Sequence, residues 1–80
     1  MKEQMKRNLI IFGQFVRKLR KQSKLSQDDV VSNSNKLTKA TISDIENGKR
    51  NLSFTTLLDL AKGMKKQPKD LLDTYFDLNG

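Results

Sequence analysis

The sequence predicts an all-α fold, five short helices packed as one compact domain. Three observations carry this. Apolar residues recur at helical spacing near both ends of the chain, around Leu9–Leu19 and Phe54–Met64. Helix-start residues stand at Ser26, Thr38, Ser53 and Gln67-Pro68, with turn chemistry between them. The length, 80 residues, gives room for one small core and no more. Residues 1–80 therefore read as a single domain, with a basic arm over 1–8 and a five-helix core over 9–78.

The first helix is expected from about Leu9 to Gln22. Leu9, Phe12, Val16 and Leu19 form its apolar stripe, widened by Ile11 and Phe15. Arg17, Lys18 and Lys21 lie off that stripe, while Arg20 sits at its margin. The preceding MKEQMKR reads either as a solvated tail or as an arm that lies along phosphates.

The second and third helices are short. Ser26 is a good N-cap, and Asp29 three residues on suits a capping box. Val30 and Val31 are the strongly apolar residues of that second helix. Ser32 to Lys36, SNSNK, is turn chemistry, because Asn and Ser side chains compete with helical hydrogen bonds. Thr38 caps the third helix. Asn47-Gly48 ends it, with Gly48 free to take the left-handed conformation. Helices of about two turns do not persist alone, so other elements must bury them.

At ~100° per residue, Ile42 and Ile45 share one side of the third helix. Ala40, Ser43, Asp44 and Asn47 cluster opposite, with Lys39 at their edge. This face is either ordinarily solvated or built for close approach. A helix with small polar groups outward fits the width of a B-DNA major groove.

The fourth helix is expected from Phe54 to Lys62, capped by Ser53 and ended by Gly63. Its inner stripe reads Phe54, Leu57, Leu58 and Ala61, extended by Leu60 and Met64. A last helix opens at Gln67-Pro68, with Pro at its first position. Leu71, Leu72, Tyr75 and Phe76 would give it a wide apolar face. Near Tyr75, Phe76 and Leu78 that face is either absorbed by the core or left over as a dimer contact.

Composition narrows the chemistry. The chain lacks Cys and His, which removes disulfides, thiol nucleophiles and the commonest base and metal ligand. Asp70, Asp73 and Asp77 without such partners make a poor metal site, and no Gly-rich phosphate loop is present. An enzyme is not expected, nor a cofactor. Net charge is +7 and pI ≈ 9.9, which favours a polyanionic partner. Residues 1–24 hold Lys2, Lys6, Arg7, Arg17, Lys18, Arg20, Lys21 and Lys24 against Glu3 alone. Nothing is long enough to span a bilayer. LIIFGQFV is interrupted by Gln14 and lacks a following cleavage site, so a cytoplasmic location is expected.

The segments SQDDVV and TKATISDIENGKR resemble the helix-turn-helix of the lambda-repressor-like family, the Xre/Cro type. FGQFVRKLRKQSKLSQ is similar to that family's first helix and LSFTTLLDLAKGM to its fourth, so the likeness runs from about Phe12 to Leu72. Departures are Lys24 and Asn35, where the family has Gly, Val31, where it has Ala, and one extra residue near Lys36. The resemblance implies that Thr38, Lys39, Ala40, Ser43 and Asp44 face bases or the adjoining backbone. It implies phosphate contacts from Gln27, Asn47, Lys49 and Arg50, and an ion pair between Arg20 and Glu46. The reading that follows is a sequence-specific regulator that binds double-stranded DNA, a homodimer on a palindromic operator. The alternative is a protein-interaction module, such as an antitoxin, with a partner protein as its main target.

Overall fold

The computed structural model describes residues 2–79. Five helices follow in order: α1 (Glu3–Gln22), α2 (Gln27–Asn33), α3 (Lys39–Glu46), α4 (Phe54–Gly63) and α5 (Pro68–Leu71). Helix α1 packs on α3, α2 packs on both α3 and α4, and α5 closes the space between α1 and α4. The core they share comprises Phe12, Val16, Val30, Leu37, Ile42, Ile45, Leu60, Ala61, Met64 and Leu71. Burying a side chain of this kind contributes about 1.5–3 kcal/mol, which holds short helices that would melt alone.

Local signals set most boundaries. The Ser26 hydroxyl accepts from Asp29 N at 3.0 Å, and the Asp29 carboxylate accepts from Ser26 N at 2.8 Å, closing a capping box. Those bonds hold the Asp29 carboxyl below its ordinary range. Thr38 and Ser53 cap α3 and α4 through the N–H groups of Thr41 and Thr56. Three helices end alike, with a left-handed residue two positions after the last helical one: Lys24 (φ 59°), Gly48 (φ 72°) and Lys65 (φ 57°). After α3, Gly48 N donates to Ile45 O and Lys49 N to Asp44 O, the paired bonds of a Schellman motif. Glycine takes that conformation freely at 48, while a lysine at 24 or 65 costs about 1 kcal/mol.

Three expectations need correction. Helix α1 begins at Glu3 rather than near Leu9, so the expected arm over 1–8 is helical from its third residue. Glu3 complements the helix dipole, and the Asn8 side chain is bonded to both the N–H and the carbonyl of Asp77, which fixes this turn. Helix α4 is rotated from the expected stripe. Leu60, Ala61 and Met64 are buried, whereas Phe54 is 71% exposed and Leu58 40%. The reason lies at Gly63, where a Cβ would fall 2.6 Å from the Val30 carbonyl oxygen. Close approach to α2 there fixes the face that α4 buries. Gly63 thus serves packing, and the left-handed stop falls at Lys65. The last helix ends at Leu71, so the wide apolar face through Tyr75 and Phe76 does not form as a helix. Residues 72–79 leave as an irregular segment held by Asn8.

Candidate nucleic-acid interface

Helix α3 is fixed from one side and open on the other. Ile42 and Ile45 are almost wholly buried. Across the helix, Lys39, Ala40 and Asn47 are exposed, Ser43 and Asp44 are half-buried, and the capping Thr38 is exposed. Of the five residues expected to face bases, Lys39, Ala40, Ser43 and Asp44 therefore share one accessible surface, while Thr38 is exposed at the helix start on the side of Ile42. Lys39 Nζ rests 3.8 Å from an Asp28 carboxylate oxygen, with both side chains mostly exposed. Such a pair contributes little, so the ammonium is free to take another acceptor.

The far end of α3 is tied to α1 by a buried ion pair. Arg20 Nε donates to Glu46 Oε2 at 2.6 Å and Nη2 to Oε1 at 3.1 Å. Arg20 Nη1 also donates to Leu25 O at 2.9 Å, and Gln27 Nε2 to Glu46 Oε1 at 3.3 Å. The hydrogen bonds to Glu46 hold Arg20 firmly protonated, its pKa raised despite burial. One network thus links α1, the start of α2 and the end of α3.

A polar notch of about 180 Å³ opens beside this network, lined by Arg17, Gln27, Ser43 and Asn47 along with the ion pair. Gln27 and Asn47, expected at phosphates, meet there. Arg17 was not expected among them, although its position three residues before Arg20 places both on one face of α1. A second notch, about 370 Å³, lies on the opposite flank of α3 and includes Lys36, Thr41, Arg50 and Thr55. Lys49 is exposed and lines neither. The open face of α3 is thus bordered on both sides by recesses that each hold basic side chains beside a carboxylate, Glu46 in one and Asp59 in the other. Two such recesses suit a duplex groove, which has phosphates along both edges.

Tyr75, Phe76 and Leu78 lie apart from this face. Phe76 is half-buried and walls an apolar groove of about 610 Å³ with Met5, Phe54 and Leu72. Tyr75 and Leu78 are exposed beside it in sequence but do not line it. Of its exposed apolar members, Met5 and Phe54 were missed because the start of α1 and the rotation of α4 were misplaced, while Leu72 was expected on the apolar face of a longer last helix. Among the described residues no cluster of His, Cys, Asp and Glu could hold a metal, and no helix is long and apolar enough to cross a membrane.

Comparison with known proteins bears on this geometry. Residues 13–75 match the family described as "Helix-turn-helix domain". Control protein C.BamHI of Bacillus amyloliquefaciens is 42% identical over 65 residues, which cover 80% of this chain and 79% of that protein. The crystal structure of the restriction-modification controller protein C.AhdI from Aeromonas hydrophila superposes with a TM-score of 0.72. It is 35% identical and the match covers 79% of this chain and 94% of that one.

Proposed function

The chain belongs to the helix-turn-helix domain family, and on that premise we propose a sequence-specific, double-stranded-DNA-binding transcriptional regulator that controls restriction-modification genes. The observation that carries this reading is the open face of α3, small and polar, flanked by Arg17 on one side and by Lys36 and Arg50 on the other in a chain of charge +7. The likeness to control proteins of restriction-modification systems supports the class of genes.

In this reading α3 enters the major groove. Lys39, in its first turn, donates to guanine O6 or N7, and the Ala40 methyl meets thymine. Asp44 accepts from cytosine N4 and disfavours other bases, since a carboxylate near phosphates is otherwise costly. Thr38 and Ser43 adjust to bases or nearby backbone. Gln27 and Asn47, with Arg17, hold a phosphate at one edge, while Lys49 and Arg50 hold the other. These contacts set register without reading sequence. The regulator acts by occupancy of its operator.

The binding unit is a homodimer on a palindromic site. Its contact surface is the apolar groove with Met5, Phe54 and Leu72 at its rim and Phe76 in its wall, extended by Tyr75 and Leu78. An apolar groove rimmed by exposed Met5 and Leu72 and by a Phe54 that is 71% exposed is the kind of apolar patch that marks a contact surface. A heterologous partner protein on the same groove is the second reading, and solution mass separates the two.

The test is salt-dependent DNA binding by the purified protein. If each protomer neutralises about four phosphates, a dimer shows a log–log slope near −7. Lys49→Ala weakens all sites alike and reduces the magnitude of that slope by about one for every phosphate left without its lysine. A slope near zero would remove DNA as the main partner.

A further inference from the structure

In the connection between α2 and α3, the backbone N–H groups of residues 34–37 all find acceptors. Ser34 N donates back to Val30 O and Val31 O. Leu37 N donates to the Ser34 hydroxyl at 3.2 Å, and that hydroxyl donates to Val31 O at 2.9 Å. The two N–H groups left between them, those of Asn35 and Lys36, both donate to the carboxylate of Asp59, at 2.7 and 2.9 Å. Asp59 is on α4, outside the helix-turn-helix. Lys62, one turn further along α4, donates to the Asn35 side chain. Burial alone would push the Asp59 carboxyl up, but the backbone donors outweigh it and hold it below its ordinary range.

We propose that Asp59 is a positioning residue for DNA recognition, its carboxylate clamping the N–H groups of Asn35 and Lys36 so that α3 meets the groove at one fixed angle. This rests on the DNA-binding reading above. The lever is short but sensitive. Eight residues at 1.5 Å each make α3 about 12 Å long, and the Arg20–Glu46 pair holds its far end, so a ~10° tilt about that end moves its start, with Lys39 and Ala40, about 2 Å. Hydrogen bonds to base edges do not survive that displacement. Phosphate contacts from long, flexible Lys and Arg side chains do. The clamp therefore governs selectivity rather than bulk affinity. A carboxylate suits the task because its two oxygens take two adjacent N–H groups at once. An amide in its place offers one accepting oxygen and turns an NH₂ group toward the second donor.

The experiment measures two affinities for wild type, Asp59→Asn and Asp59→Ala: for the site chosen from a random duplex pool and for a scrambled duplex, each well below the variant's own Tm. The proposal expects the ratio to fall about tenfold in Asp59→Ala, the worth of roughly one well-made hydrogen-bonded base pairing by a side chain, and less in Asp59→Asn, with scrambled binding not weakened. The amide resonances of Asn35 and Lys36 should move and exchange faster in both. Because Asp59→Asn keeps the side-chain shape, the test stands even if the Ala variant does not fold. A Tm loss with an unchanged ratio would mean a purely structural role. Equal gains in both affinities would mean a purely electrostatic one. Either result overturns the proposal. A wild type that selects no sequence from the pool defeats the DNA-binding reading itself, a different outcome from a selective wild type whose variants keep its ratio.

Discussion

Removing one partner of the Arg20–Glu46 pair should remove much of the protein's margin of stability. The two side chains are only 10% and 4% exposed. Arg20→Met would leave the Glu46 carboxylate buried with a single donor, Gln27 at 3.3 Å, and would strip Leu25 O of its own donor. Breaking a buried pair in this way costs about 3–5 kcal/mol. An 80-residue domain holds about 4–12 kcal/mol in all, at 0.05–0.15 per residue. At roughly 4–8 °C per kcal/mol for a domain this size, Tm should fall by at least about 12 °C. Glu46→Leu should cost less, because Arg20 keeps its bond to Leu25 O and its long stem lets the charge reach water. The double variant Arg20→Met/Glu46→Leu should lose less than the sum of the singles by more than about 1 kcal/mol. Urea denaturation of the four proteins closes the cycle. Additive losses would refute the coupling, and with it the claim that α1 holds the end of α3 through this pair.

Light scattering at micromolar concentration should give twice the chain mass of 9.2 kDa. Phe54→Ser should reduce this to one chain while leaving protomer folding nearly intact, since Phe54 is 71% exposed; a wild-type monomer both free and on DNA would defeat the dimer. Acid should destabilise the fold through Asp29 and Asp59. Both carboxyls lie below their ordinary value when folded, so their contribution is complete above about pH 4 and disappears as pH falls through their lower folded values. Thermal melts from pH 7 to 2 should show this acid limb, and Asp29→Asn/Asp59→Asn should make it shallower. An unchanged limb in the double variant would show that neither carboxylate matters there.

What could be read in advance was local. Ser26 with Asp29, Thr38, Ser53 and Gly48 act through backbone groups within a few residues, so four helix ends were visible in the sequence. Ile42 and Ile45 announced the buried side of α3 by spacing alone, which also exposed its polar side. The family resemblance added the partners Arg20 and Glu46, far apart in sequence, and it grouped Gln27 with Asn47, which line one notch with Arg17. What was misread depended on distant partners. The first turns of α1 are fixed by Asn8 reaching the backbone of Asp77. The buried side of α4 is chosen by the close approach of Gly63 to Val30, and no pattern within α4 distinguishes Phe54 from Leu60. Asp59 gave no signal at all, because its bonds to the N–H groups of Asn35 and Lys36 form only when α4 lies beside that connection.

The most direct test of the central claim is selection of bound duplexes from a random pool by the wild type and by Lys39→Ala and Asp44→Ala. The account predicts a two-fold symmetric site for the wild type. Each variant should change the preferred base at single positions in each half-site, by about 1–3 kcal/mol, and leave the remaining positions as they were. If the wild type enriches no sequence, or if Asp44→Ala and Lys39→Ala select the wild-type site unchanged, α3 is not the element that reads DNA.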